Sequence, residues 1–425
     1  MRLLFVFFLT LFLVRSFAAE PDSETPFVVI NLKTGRLLMQ HAAHKKMYPA
    51  STTKVALLAY VLSTSGLDAE QKLVVPQEAL RTLPDAEKSR DNFGKYPSYI
   101  LETSGTIAGF KPGEIITLKD ALWGMMLPSG NDAANTLAYY WGNGSIEAGV
   151  EQMNRFIESL GCQETHFTNP HGLPHPNHVS SAFDLALIAR YAMQYPLFRQ
   201  IVSSKTYTKE RTNKQPAVTF QQHNKLLLSG PYYYEKATGI KTGQHSRAQS
   251  CMIASGESQD RSILVVLLHV PDRKQLFLTA KKLLEKFLEE PKLQRTVVQK
   301  GVLQLKREVE GQPLPLCLES SEPCVMSYYA SEEPVVKALV EWKELRFPVE
   351  PGQEVGLLRV FADDELLAAI PLLSTEHRSV TWRQRLLMSQ RYVKEHSTAA
   401  LTLLVLGLLG ILFLSLKGRL VGRTR

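Results

Sequence analysis

A chain of 425 residues, 44% hydrophobic and 21% charged, exceeds one typical domain and is apolar enough to give each of two domains a core. Four cysteines exclude a disulfide scaffold, and no Cys-x-x-Cys pair suggests a zinc site. The net charge of +8 lies at the ends: residues 1–18 carry +2, residues 382–396 carry +3 and residues 397–425 carry +4, which leaves −1 on residues 19–381. So neutral a body has no electrostatic footprint for nucleic acid, and none is expected as a partner.

Arg2 precedes an apolar run over residues 3–14, and Ser16-Phe17-Ala18 places small residues where a signal peptidase reads. Residues 27–32 then read as a strand, Lys33-Thr34-Gly35 as a turn and residues 36–40 as a returning strand. This hairpin delivers the chain to Tyr48-Pro49-Ala50-Ser51-Thr52-Thr53-Lys54 and the apolar run 55–62. Pro49 ends the extended segment, and a buried helix is expected from about Ala50. On that helix Ser51 and Lys54 share a face. Burial disfavours an ammonium, so Lys54 is suited to take the proton of Ser51 without any histidine. Alone the pair is ambiguous, since a helix N-cap serine beside a solvated lysine has the same spacing.

Residues 67–90 read as charged and irregular, and residues 100–117 as short strands broken by Gly105, Gly109 and Pro112-Gly113. A helix is expected over 118–126 and another from within 132–138, so Ser129 and Asn131 fall on the tight connection between them. Amphipathic helices over 146–160 and 182–193 flank a loop holding His166, His171, His175 and His178. Prolines interrupt these histidines and no carboxylate joins them at a ligand spacing, so neither a metal nor any other cofactor is expected. Strand signals follow at 205–209, 218–221 and 239–243. Residues 248–255 and 262–270 read as paired central strands, and 273–289 as a long helix. Hairpin, helical middle, strands and closing helix predict an α+β fold, an antiparallel sheet covered by helices.

Pro291 marks a boundary. Residues 297–382 change to short alternating strands with turns at Glu310-Gly, Glu319-Ser-Ser, Glu350-Pro-Gly and Asp363-Asp, a small all-β domain. Cys317 and Cys324 within it either bridge or stay as buried thiols. A basic segment leads to 399–416, uncharged residues that as a helix measure about 27 Å against a hydrocarbon core of about 30 Å. Lys417, Arg419, Arg423 and Arg425 follow without an acid, the pattern of a cytoplasmic tail.

Ser51-Thr52-Thr53-Lys54, Ser129-Gly130-Asn131 and Lys241-Thr242-Gly243 follow one another at separations of 78 and 112 residues. They fall on a helix start, an inter-helix turn and a strand. A second Lys-Thr-Gly, at Lys33, precedes the serine on the hairpin turn and is read as structural. In this order the motifs resemble those of the penicillin-recognising serine enzymes. Residues 47–54, 109–118, 127–134 and 239–243 narrow the resemblance, over residues 26–290, to the low-molecular-mass penicillin-binding proteins that are D-alanyl-D-alanine carboxypeptidases. Residues 347–356 resemble their C-terminal β-domain.

The resemblance implies a β-lactamase/transpeptidase-like catalytic domain over residues 20–290. The rest of the expected layout is a signal peptide at 1–18, an all-β domain at 294–381, a basic juxtamembrane segment at 382–397, a transmembrane anchor at 398–416 and a tail at 417–425. The body would be exported, held by its single C-terminal helix at the periplasmic face of the bacterial inner membrane. The resemblance also implies roles. Ser51 would attack the carbonyl between the two terminal D-alanines of a peptidoglycan stem peptide, with Lys54 as base, and form an acyl-enzyme. Ser129 would pass a proton to the leaving amine, Asn131 would hold the peptide, and Lys241 and Thr242 would bind the terminal carboxylate. Gly243 would let the backbone approach, and the N–H groups of Ser51 and Gln244 would hold the oxyanion. β-Lactam antibiotics would stall at the acyl stage.

Family members often present an arginine after the last central strand. Here Arg273 is the candidate, and a solvated helix start the alternative. A class A β-lactamase shares the motifs but needs a deacylating glutamate, and Glu164 lacks its Glu-x-x-x-Asn spacing. A DD-endopeptidase acting on cross-links and a slowly turning-over penicillin sensor use the same residues and stay open.

Overall fold

The computed structural model of the chain describes residues 25–90, 95–309 and 314–382. The expected signal peptide, anchor and tail lie outside these residues, as does the juxtamembrane segment apart from Trp382. Among the described residues no helix is long and apolar enough to cross a membrane. The chain forms two compact units. One runs to Pro291 and includes Ala330–Glu332; the other holds Lys292–Tyr329 and the chain from Glu333.

The first unit is built on a five-stranded antiparallel sheet. Across the sheet its strands run Leu37–His41, Phe27–Asn31, Ser262–Val270, Gln249–Glu257 and Ala237–His245. Strands buried on both faces read as continuous apolar runs, because alternate side chains serve opposite layers. Ser262–Val270 does this: Ile263, Val265 and Leu267 join Leu276, Phe277, Leu283 and Leu284 of the helix Arg273–Leu288 in one core. Leu264, Val266 and Leu268 join the core of the other face, made with the helices Thr53–Leu62, Leu118–Met126 and Ala182–Ala192. The result is α+β, with helices on both faces of an antiparallel sheet.

Leu118–Met126 occupies the expected residues because its ends are local. Thr117 accepts from the backbone of Asp120 and Asp120 accepts from that of Thr117, a capping box. Two expectations are corrected. Residues 67–90, read as irregular, contain the strand Lys72–Val74, a 3-10 turn at Gln77–Leu80, the strand Thr82–Leu83 and the helix Asp85–Arg90. These are too short for a periodic signal. A helix at Pro196–Ser203 lies where none was expected; Pro196 sits in its first turn, where a missing N–H costs nothing.

In the second unit an antiparallel sheet runs Gly301–Arg307, Leu316–Ser320, Glu365–Ser374, Glu354–Ala362 and Val336–Trp342, beside the pair Lys292–Val298 and Cys324–Tyr329. Leu316, Leu318, Val355, Val360, Ile370 and Leu372 form its core. All four cysteines are free thiols, so Cys317 and Cys324 do not bridge; Cys324 is buried and Cys317 half-buried.

Candidate active site

The serine does not start a regular α-helix. Ala50–Thr52 make one 3-10 turn that runs into Thr53–Leu62. Ala50 has φ +48°, a conformation that costs energy for a residue with a side chain. Thr52 Oγ1 donates to the Pro49 carbonyl at 2.6 Å and Thr53 Oγ1 to that of Ala50 at 2.9 Å. From outside, the loop at Gly172 (φ +97°) presses on the turn: a Cβ there would lie 1.9 Å from the Ala50 oxygen. Only glycine meets both demands.

Lys54 is fully buried. Its Nζ is 3.0 Å from Ser51 Oγ, 2.7 Å from Asn131 Oδ1 and 2.8 Å from the His171 carbonyl oxygen. Burial first and then the charge of Lys241 hold its pKa well below the ordinary 10.5, against an opposing pull from Asp132. A neutral amine has two hydrogens and one lone pair. The Asn131 and His171 oxygens can only accept, so they take both hydrogens and leave the lone pair to the Ser51 hydroxyl.

Asn131 comes to this centre as the first residue of the helix Asn131–Trp141, and Ser129 lies two residues before it on the connection from Leu118–Met126. Ser129 sits at φ +63°, and its buried Oγ has no hydrogen-bond partner among the described residues. Its carbonyl accepts from Thr106 Oγ1 at 2.9 Å. Next to it, the Asp132 carboxylate accepts from the backbone N–H groups of Ala108, Gly109, Phe110 and Ala133. One side chain thus ties residues 108–110 to the start of the helix.

Lys241, Thr242, Gly243 and Gln244 lie on the edge strand Ala237–His245. Lys241 is 1% exposed, and its amine donates to the Thr242 carbonyl at 3.0 Å. Burial and then Arg273 lower its pKa to about 7. A Cβ on Gly243 would lie 2.9 Å from the Ser51 nitrogen, so a side chain would block the approach to that amide. Gln244 is exposed and its side-chain oxygen accepts from Arg273, the first residue of Arg273–Leu288. Arg273 is therefore not simply a solvated helix start: its charge is felt at Lys241.

Ser51, Asn131 and Gln244 line a cleft of about 440 Å³, whereas Lys54, Ser129, Lys241, Thr242 and Gly243 are buried and do not line it. Glu164 does not line it either; it pairs with His44 at 3.3 Å and accepts from Ser181. Two loop histidines support the serine turn. His178 Nδ1 accepts from the Thr168 N–H, so its proton sits on Nε2 and points to Thr53 Oγ1 at 3.0 Å. His171 Nδ1 accepts from the Leu173 N–H and its Nε2 donates to the Tyr99 carbonyl. Burial keeps both neutral, lowering His178 to about 3 and His171 well below its usual value. Among the described residues no group of three or more His, Cys, Asp or Glu could hold a metal ion.

Three contributors were not legible beforehand: the His171 carbonyl, Asp132 and the φ of Gly172. Asp132 stands beside Asn131 in the motif, but nothing local points to amides more than twenty residues upstream.

Residues 16–271 match a family described as D-alanyl-D-alanine carboxypeptidase. The D-alanyl-D-alanine carboxypeptidase DacD of Escherichia coli is 29% identical over 385 residues, covering 88% of this chain and 92% of that protein. DacF of Bacillus subtilis is 25% identical over 352 residues, covering 82% and 84%. Among solved structures, the Streptomyces K15 DD-transpeptidase aligns over 64% of this chain and all of its own, with 26% identity and a TM-score of 0.53. The D-alanyl-D-alanine carboxypeptidase DacD from Francisella tularensis aligns over 88% of this chain and 97% of its own, with a TM-score of 0.58; at 21% identity this speaks for the fold alone. With more than half of its length matched, this chain belongs to the D-alanyl-D-alanine carboxypeptidase family.

Proposed function

We propose that the protein is a serine carboxypeptidase that removes the terminal D-alanine from peptidoglycan stem peptides ending in D-Ala-D-Ala. The observation that carries the reading is the buried Lys54, whose Nζ stands 3.0 Å from Ser51 Oγ with the acceptor oxygens of Asn131 and His171 at 2.7 and 2.8 Å; in the neutral amine these two oxygens take the hydrogens and leave the lone pair to the Ser51 hydroxyl. Ser51 Oγ attacks the carbonyl carbon of the penultimate D-alanine as its proton passes to Lys54. The oxyanion accepts from the N–H groups of Ser51 and Gln244, close to where Gly243 leaves room. The C–N bond breaks as Ser129 Oγ delivers its proton to the departing D-alanine nitrogen and takes in its place the proton held by Lys54, which leaves Lys54 neutral and an ester on Ser51. Water then attacks the ester with Lys54 again as base, and Ser51 recovers its proton.

Lys241 and Thr242 hold the terminal carboxylate, with Arg273 adding positive charge at the same place. Asn131 spends Oδ1 on Lys54 and keeps Nδ2 for the peptide. β-Lactams acylate Ser51 by the same attack. Residues 1–18 direct export, and residues 398–416 anchor the enzyme at the periplasmic face of the inner membrane, with 417–425 as its tail. The short apolar run at the start, the uncharged stretch near the end and the basic residues after it support that reading.

The test uses the purified full-length chain and its Ser51→Ala variant with a D-Ala-D-Ala peptide and with labelled penicillin. Release of D-alanine and covalent labelling are expected in the parent and absent in the variant. Release that survives in Ser51→Ala would overturn the mechanism.

A further inference from the structure

Asn135 is fully buried on the helix Asn131–Trp141, one turn beyond Asn131 and on the same face. Its Nδ2 donates to two backbone carbonyls, that of Ala79 at 3.1 Å and that of Tyr99 at 3.0 Å. Its Oδ1 has no hydrogen-bond partner among the described residues. A buried polar side chain with an unmet acceptor costs free energy that an apolar side chain there would avoid. What the position gains in return is the pair of donors.

The Tyr99 carbonyl leads on to the site. It accepts a second hydrogen bond, from His171 Nε2 at 3.1 Å, and Nε2 carries the ring proton because Nδ1 accepts from the Leu173 N–H at 3.2 Å. A carbonyl oxygen has two lone pairs, and Asn135 and His171 occupy both. From His171 the main chain continues to the lysine: its carbonyl oxygen stands 2.8 Å from Lys54 Nζ, opposite Asn131 Oδ1 at 2.7 Å. One helix therefore reaches Lys54 by two routes, directly through Asn131 and, from Asn135, through Tyr99 and His171. The direct route supplies one acceptor and the indirect route supports the other. Both matter, because a neutral amine held by a single acceptor can turn and offer Ser51 a hydrogen instead of its lone pair.

We propose that Asn135 is a positioning residue for the Lys54 base, acting through the Tyr99 carbonyl and the His171 imidazole. The inference rests on the role of Lys54 in the proposed reaction, and it extends that role to a residue that does not line the cleft.

The test compares the full-length enzyme with Asn135→Leu, His171→Phe and the double variant, measuring kcat and KM on a D-Ala-D-Ala peptide. Penicillin labelling carried to completion counts the folded active sites of each. Asn135→Leu keeps the branched shape and removes both donors. Its kcat and kcat/KM should fall together by about tenfold, the weight of one lost hydrogen bond, with KM unchanged. His171→Phe should lower kcat as well. Adding Asn135→Leu to it should then cost less than about twofold, since the group through which Asn135 acts is already gone. Losses that multiply in the double variant overturn the route through His171. A kcat untouched in folded Asn135→Leu, or a rise in KM alone, overturns the positioning role. Where either variant leaves no active sites, Asn135→Ser, too short to reach both carbonyls, and His171→Asn, too short to reach Tyr99, take their places under the same criteria. No release and no acylation by the parent enzyme would instead remove the role of Lys54 on which the inference stands.

Discussion

Lys54 and Lys241 are both buried lysines with depressed pKa values, and the mechanism asks opposite things of them. In the proposed reaction Lys54 acts without its proton, whereas Lys241 would hold a carboxylate only while it keeps its own. For Lys241 the controlling value is about 7, set by burial and then by Arg273. On a D-Ala-D-Ala peptide kcat/KM is therefore expected to rise with pH as Lys54 deprotonates and to fall above about pH 7 as Lys241 does. Removing the Arg273 charge lets the Lys241 pKa rise. In Arg273→Gln the alkaline limb should thus move to higher pH while KM increases, because a cation near the substrate carboxylate is gone. A pH–rate profile of the two proteins decides this, and a limb that stays in place would show that Lys241 does not set it.

At the scale of elements, the serine turn and the two inter-helix residues are held by side chains from other segments. The same holds further off, where Lys209 of the strand Thr206–Lys209 meets Glu114 at 2.9 Å with both side chains fully buried. Thr212 and Gln215 donate to the same carboxylate. Removing one partner of such a pair leaves a buried charge and costs about 3–5 kcal/mol, more than the pair itself contributes. Lys209→Met should lose stability of that order in chemical denaturation. Adding Glu114→Gln to Lys209→Met should recover part of the loss, because the uncompensated carboxylate is then gone. If the double variant were no more stable than the single one, the ion pair would not be the reason for the loss.

For the whole molecule, the first unit is not one continuous stretch of chain. Arg261, 1% exposed, donates to Glu290 at 2.7 Å, to Ser331 Oγ at 3.0 Å and to Glu332 at 2.6 Å, and Asn31 Nδ2 donates to Glu332 at 2.9 Å. Ser331 and Glu332 lie some forty residues past Pro291, where the sequence pattern places the boundary. A chain ended at Pro291 loses these acceptors. Hydrogen bonds to charged groups contribute about 1.5–3 kcal/mol, so the melting temperature should fall by about 3–12 °C. Thermal melting of the two chains checks this, and equal Tm values would mean that residues 330–332 do not stabilise the unit.

The sequence by itself determined what is local. The helix at Leu118–Met126 and the strand at Ser262–Val270 fall on the expected residues, since capping, periodicity and apolar runs act over a few positions. The order of the three motifs was equally legible, and with it the family resemblance. Short pieces such as Lys72–Val74 and Thr82–Leu83 escaped because two or three residues carry no period. Only the tertiary structure decided the state of the site. Lys54 finds one acceptor 77 residues away at Asn131 and another 117 residues away at His171; Asp132 reaches back to Ala108, and Arg273 acts on Lys241. A lysine's pKa depends on the water excluded and the charges packed around it. Those are supplied by residues distant in the chain, and no local pattern encodes them.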